Sequence, residues 1–262
     1  MNSKRNLWYT FDSIRCINLR SRSDRRLSAS SLFEKLKIPV EWFITDRHPN
    51  GGIQGCFESH ISCLRESYLR GDQMCLIFED DVIDTGFASD ETLLESAIHF
   101  METNLDWDLF YLGTCPDIKY SRTQTVRGFK SILKMHSLCT HAYVASRKFM
   151  KQCYDMKFIG VPIDYLYLNG PESYGLYPSF FAQRASKSDI SGDAWNLIPF
   201  KHSYFRFVEL YARYINIPLI KFTLILAIGF FLLLVVILLP PHLKRFGLIA
   251  AGSLLLLLLV LM

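Results

Sequence analysis

The chain has 262 residues, of which 50% are apolar, 14% aromatic and 21% charged, enough to bury a sizeable core, which excludes a disordered chain or a disulfide-held miniprotein. The formal charge of +4 is not spread evenly: residues 1–205 carry 24 Lys and Arg against 24 Asp and Glu, and the excess lies in Arg206, Arg213, Lys221, Lys244 and Arg245. A charge-balanced body leaves no electrostatic footprint for nucleic acid, whereas a basic collar beside apolar sequence suits an anionic membrane surface.

Along the body, apolar β-rich runs alternate with amphipathic stretches, which predicts an α/β layer structure. A strand is expected over Ile14–Leu19, followed by a helix from about Asp24 to Leu36 with Leu27, Leu32, Phe33 and Leu36 on one side. A second strand, Val40–Thr45, leads into a glycine-rich loop, Asn50 to Gly55, and a helix from about Cys56 to Leu69 with Phe57, Ile61, Leu64 and Tyr68 at helical spacing. Further strands are expected at Met74–Phe78 and Asp108–Leu112, then a strand and helix from Cys139 through Met156. With no internal repeat or low-complexity linker, residues 1–205 read as one domain.

The tail reads as a membrane anchor. Residues 206–221 form a basic aromatic segment, and the overlapping stretch Tyr204 to Tyr214 supplies either an interfacial belt or a helix packed on the body. Phe222 to Leu239 is free of charge, and as a helix these residues span about 27 Å at about 1.5 Å each. A turn at Pro240–Arg245 precedes a second apolar run, Gly247–Met262, so residues 222–262 predict a transmembrane hairpin. No apolar run of signal-peptide length occupies the N-terminus, and seven cysteines at irregular spacing fit a reducing compartment, so the body is expected on the cytoplasmic side.

The chemistry concentrates where the apolar run Cys75–Phe78 ends in Glu79-Asp80-Asp81. Carboxylates at the C-terminal end of a central strand lie at the edge where open α/β sheets bind ligands. Period-2 geometry puts Glu79 and Asp81 on one face to share a hard cation, with Asp80 opposite. Oxygen-only ligands suit Mg²⁺ or Mn²⁺, which stabilises a departing diphosphate. The alternative is a solvated acidic strand end or a helix N-cap. Cys56, His60 and Cys63 share a helix face at zinc-ligand spacing but lack an evident fourth ligand. No G-x-G-x-x-G, G-K-[ST] or G-x-S-x-G motif occurs, which removes support for nicotinamide, P-loop and serine-hydrolase chemistry.

Five blocks in order resemble glycosyltransferase family 25, the lipooligosaccharide and procollagen galactosyltransferase group: Ile17–Arg20 with Asp24-Arg25-Arg26, Gly55–His60, Phe78–Val82, His141–Ser146 and Pro162–Asp164. The resemblance covers roughly residues 12–190 and implies a GT-A type nucleotide-sugar fold that uses a divalent metal and inverts the anomeric centre. Under it Asn18, Arg20, Arg25, Arg26, His60, His141, Glu79 and Asp80 are candidates for donor binding, and Asp81 with Glu79 for Mn²⁺ or Mg²⁺. His60 and His141 have equally simple readings as core histidines. Asp164 is the candidate base, with a metal-side carboxylate or helix cap as its alternatives, and Asp189 is the reserve. The expected function is a membrane-attached hexosyltransferase moving galactose or glucose from a UDP-sugar to a glycan, glycoprotein or glycolipid. A non-catalytic membrane scaffold and a metal-dependent phosphoryl-transfer enzyme are the alternatives. The resemblance does not extend to the C-terminal apolar hairpin.

Overall fold

The computed structural model describes residues 6–114, 124–137, 139–167, 170–184 and 219–240, with a few positions beyond. The chain divides into two compact units, Met1–Pro116 with Arg122–Asn216, and Asp117–Ser121 with Ile217–Met262. The first is a mixed α/β unit with a large central sheet flanked by helices. After a short 3₁₀ turn, Leu7–Thr10, its described elements are β1 (Ser13–Leu19), α1 (Ser23–Leu36), β2 (Glu41–Thr45), α2 (Gly52–Arg70), β3 (Met74–Glu79), β4 (Val82–Asp84), α3 (Glu91–Thr103) and β5 (Leu109–Tyr111). There follow β6 (Gln124–Val126), β7 (Phe129–Lys134), β8 (Ala142–Ser146), α4 (Arg147–Cys153), α5 (Ile163–Tyr167), β9 (Ser173–Leu176) and β10 (Phe181–Gln183).

The main sheet runs β2-β1-β3-β8-β5-β9-β7-β6, and β10 pairs with β4 in a separate two-stranded ribbon. Strands β1, β2 and β3 are mutually parallel, while β8 lies antiparallel between β3 and β5. From β1 the chain passes first to β2 on one side and then to β3 on the other. The carboxyl ends of β1 and β3 therefore flank a topological switch point, the place where open α/β sheets leave a crevice.

Alternation along β3 explains its central position. Leu76 and Phe78 join one core with Phe33 of α1, and Cys75 and Ile77 join the other with Phe57, Ile61 and Leu64 of α2. A strand buried on both faces reads as a continuous apolar run. Two helix expectations are corrected. Leu27 is 75% exposed, because α1 turns Ala29 and Phe33 to the sheet. Helix α2 begins at Gly52, not near Cys56. Gly55 sits inside its first turns because a Cβ there would come 2.9 Å from His48 Cβ, so close packing outweighs glycine's poor helix propensity.

Cys16, Cys56, Cys63, Cys75 and Cys153 are free thiols, whereas Cys139 is disulfide-bonded. That departs from the all-thiol state expected of a reducing compartment.

In the second unit the described element is α6 (Leu219–Leu238), 20 residues long. Its side chains are described from Leu226 onward, and among the described residues no helix is long and apolar enough to cross a membrane. Most of the basic aromatic segment and of the second apolar run of the expected hairpin lies outside the described residues.

Candidate active site

Strand β3 ends at Glu79, and Asp80-Asp81 form the turn into β4. Alternation holds through Glu79, which follows Cys75 and Ile77 onto the α2 side, and then the turn breaks it. The expected pairing of Glu79 with Asp81 against a lone Asp80 is thereby corrected: Asp80 and Asp81 share one cation, the Arg25 guanidinium. Its Nη1 lies 3.0 Å from Asp80 Oδ1 and 3.3 Å from Asp81 Oδ2. Across the crevice Asn18 of β1 donates to Asp80 Oδ2 at 2.7 Å and Arg26 donates to Asn18 Oδ1 at 3.3 Å. Gln183 of β10 donates to Asp81 Oδ2 at 3.2 Å, and the Arg184 backbone N–H donates to the Asp81 carbonyl. Asp81 Oδ1 is buried without a hydrogen-bond partner.

Glu79 faces the other group. Its Oε1 accepts from the Thr140 hydroxyl at 2.7 Å and lies 3.6 Å from His60 Nε2. The Thr140 hydroxyl is also 2.9 Å from Asp164 Oδ1. A hydroxyl carries one proton, so it cannot donate to two ionised carboxylates at once. Where both contacts are hydrogen bonds, one carboxyl holds a proton and donates to the Thr140 oxygen. Fully buried His60 has Nδ1 2.9 Å from the Tyr143 hydroxyl, which is 3.3 Å from the Tyr167 hydroxyl. His141 is also fully buried, with Nε2 3.4 Å from the Phe181 carbonyl.

The electrostatics divide the carboxyls. Burial raises Asp164 to about 7, with the Glu79 charge adding to the rise and the Thr140 bond opposing it. Asp81 also rises to about 7, through burial and then the Glu79 charge, against the pull of Arg25. Asp80 is raised by burial despite Arg25 and Asn18. Burial acts in the same direction on Glu79, but the bond and charge of His60, the Thr140 bond and His141 outweigh it and leave Glu79 lowered. Thus Asp164 is raised and Glu79 lowered, and the Thr140 hydroxyl, as a donor, favours the ionised form of Asp164. Burial lowers His141, against the opposing Glu79 charge and Phe181 carbonyl.

Of the expected site residues, Asn18, Arg25, Arg26, Asp80 and Asp81 meet in the crevice, Glu79, His60 and Asp164 lie around its α2 side, and His141 is buried against the Phe181 carbonyl. Arg20 does not join them: it pairs with Asp46 at 3.0 Å, with both side chains exposed. Asp189 lies outside the described residues. Thr140 and Gln183 are additions that sequence reasoning misses; Thr140 carries a faint signal as the neighbour of His141, and Gln183 carries none. Among the described residues Cys56, His60 and Cys63 are not gathered into a metal-holding group, and His60 turns to Tyr143 and Glu79. Away from the acids, a cavity of about 470 Å³ opens beside Phe33, Glu34, Lys37 and Trp42, toward the opposite end of α1 from Arg25.

Among the described residues no group of three or more His, Cys, Asp or Glu side chains is gathered so as to hold a metal by itself. Mg²⁺-type sites commonly use one or two carboxylates completed by substrate phosphates. The Asp80–Asp81 pair, with the unpartnered Asp81 Oδ1, fits that description.

No protein-family model matches the chain. It is similar to procollagen galactosyltransferase 1 of Danio rerio, with 31% identity over 162 residues, covering 51% of this chain and 25% of that protein. The chain thus spans about a quarter of the length of this curated relative. Among solved structures, A197 from STIV aligns at TM-score 0.40 and 13% identity, covering 69% of this chain and 96% of that one. Mannose-1-phosphate geranyltransferase from Thermus thermophilus aligns at 0.38 and 10% identity, covering 64% and 59%. The sequence similarity is to a glycosyltransferase, and it is distant.

Proposed function

We propose that this chain is a metal-dependent, inverting hexosyltransferase of GT-A type. It takes galactose or glucose from a UDP-sugar and passes it to a glycan, glycoprotein or glycolipid. The observation that carries the reading is the convergence of Asn18, Arg25, Asp80 and Asp81 on the switch-point crevice, with Asp164 and Thr140 at its other side. Distant similarity to a galactosyltransferase supports the same class.

In this reading Asp80 and Asp81 hold Mn²⁺ or Mg²⁺, which when bound neutralises negative charge on the leaving diphosphate. Asn18 fixes Asp80, and Gln183 fixes Asp81, so the pair keeps its orientation. Arg25 and Arg26, from the first turns of α1, present guanidinium donors to phosphate oxygens. The acceptor hydroxyl attacks the sugar's anomeric carbon from the face opposite the diphosphate. A carbon–oxygen bond forms, the bond to the diphosphate breaks, and Asp164 takes the hydroxyl proton. A carboxyl near pH 7 is well matched to that task. Membrane attachment through residues 222–262 is part of the proposal, supported by their charge-poor apolar composition.

The test is calorimetric titration of the detergent-solubilised full chain with uridine diphosphate, with and without Mn²⁺, repeated on Asp81→Ala. Metal-dependent binding that the variant loses is the expected result. Binding that ignores both the metal and the substitution overturns the metal-site assignment, and release of nucleoside monophosphate without sugar transfer favours phosphoryl transfer.

A further inference from the structure

We propose that Arg25 is the resident counter-ion of the Asp80–Asp81 pair and exchanges those carboxylates for the donor diphosphate when a divalent cation occupies the pair. This rests on the donor-site reading above and adds a second role for one of its residues. The Arg25, Asp80 and Asp81 side chains are only 11%, 9% and 8% exposed, so each carboxylate depends on its protein partners to offset lost hydration. Nη1 of Arg25 serves both of them. Asn18 adds one bond to Asp80 and Gln183 one to Asp81, while Asp81 Oδ1 remains buried without a partner. A single positive charge therefore spans two carboxylates and leaves one oxygen unserved.

A divalent cation can use that oxygen, but it cannot share the pair with the guanidinium. Metal ligation requires carboxylate oxygens at about 2.0–2.1 Å for ions of the Mg²⁺ type. Arg25 Nη1 stands 3.0 Å and 3.3 Å from two of the same oxygens, and the two cations would repel at close range. Arg25 belongs to the first turn of α1, where a positive side chain gains nothing from the helix dipole. There the acid pair binds it through Nη1. Once displaced, the guanidinium remains at the crevice, where its fork matches phosphate oxygens.

This dual role has a signature that a merely structural arginine lacks. Removing the guanidinium frees the carboxylates for metal and at the same time removes a donor to the diphosphate, so the two affinities move in opposite directions. The experiment uses the full chain in detergent micelles. Mn²⁺ binding without nucleotide is read from the electron paramagnetic resonance signal of free Mn²⁺, and uridine diphosphate binding at saturating Mn²⁺ by calorimetry.

Arg25→Gln is expected to bind Mn²⁺ at least fivefold more tightly and uridine diphosphate at least tenfold more weakly. Arg25→Lys, which keeps the charge and loses the fork, is expected to hold Mn²⁺ as the native chain does while still weakening uridine diphosphate. Equal Mn²⁺ affinity in the native chain and Arg25→Gln, or a fall in both affinities, overturns the proposal and leaves the donor-site reading standing. Absence of Mn²⁺ binding from every form overturns both together. If circular dichroism shows Arg25→Gln unfolded, the lysine variant decides: unchanged uridine diphosphate binding overturns the exchange, and weakened binding at unchanged Mn²⁺ affinity supports it.

Discussion

Replacing Thr140 with valine keeps the side chain's shape and removes its hydroxyl from between Glu79 and Asp164. Thr140 is 3% exposed, so water does not readily take the hydroxyl's place. The contacts at 2.7 Å to Glu79 and 2.9 Å to Asp164 involve charged or proton-sharing groups, for which loss costs about 1.5–3 kcal/mol of stability. The same bond holds Asp164 down against burial and the Glu79 charge, so its removal moves the Asp164 pKa upward from about 7. A rise of about one unit, equivalent to about 1.4 kcal/mol, cuts the ionised fraction at pH 7 from about one half to about one tenth. Under the proposed mechanism, transfer at pH 7 falls about fivefold and recovers near pH 9. The assay is the pH dependence of hexose transfer by the native chain, Thr140→Val and Thr140→Ser. Serine is expected to keep the native midpoint. A valine variant with an unshifted midpoint and a uniform loss at every pH would refute the coupling between Thr140 and the proposed base.

Three further outcomes follow from the same geometry. Asp81 and Asp164 both rise to about 7 from the ordinary value of 3.8, so between about pH 4 and 7 the folded chain holds more protons than the unfolded chain and its stability falls as pH rises. The thermal midpoint should drop from about pH 5 to about pH 8, and Asp164→Asn should flatten that slope; a midpoint rising with pH contradicts the assigned shifts. Gly113→Ala places a methyl group onto the His141 imidazole and 3.0 Å from the Phe181 carbonyl oxygen; with His141 fully buried, overpacking of about 1–3 kcal/mol is expected, and a native melting temperature would show that the imidazole yields freely. A chain ending at Asn216, the last residue of the first unit, should stay in the supernatant of a membrane fraction that retains the full chain, and continued pelleting counts against the apolar tail as anchor.

The main features of the first unit were legible because burial on both faces leaves a strong mark. The run from Cys75 to Phe78 needed no periodicity to be placed centrally, and its acidic ending located the crevice. Weak amphipathic helices were harder to orient: Leu27 falls at an apolar position by spacing, yet α1 needs only Ala29 and Phe33 to cover its side of the sheet. Short strands such as β6, β9 and β10 left no readable pattern, since three or four residues cannot establish a period. Gln183 was invisible for that reason, being the last residue of β10. The pairing of Asp80 with Asp81 was missed because strand alternation was carried two residues beyond the end of β3.

That chain reversal also gives the site its division of labour. Glu79, the last residue in register, takes the α2 side of the sheet and meets His60, Thr140 and Asp164 there. One residue later Asp80 takes the α1 side and meets Arg25 and Asn18. Asp81 follows the turn toward the same guanidinium while still feeling the Glu79 charge. A single strand end thus serves two neighbourhoods, one rich in guanidinium and amide donors and one where a proton is shared among carboxyls and a hydroxyl. Under the proposed mechanism diphosphate departure would draw on the first and proton uptake on the second, on opposite faces of the sugar. The two neighbourhoods remain coupled through Glu79: neutralising it as glutamine would relieve both Asp81 and Asp164 of a negative neighbour. Both pKa values should then fall together, moving metal binding and the transfer profile toward lower pH in one variant. Movement of only one of them would show that the carboxyls titrate independently.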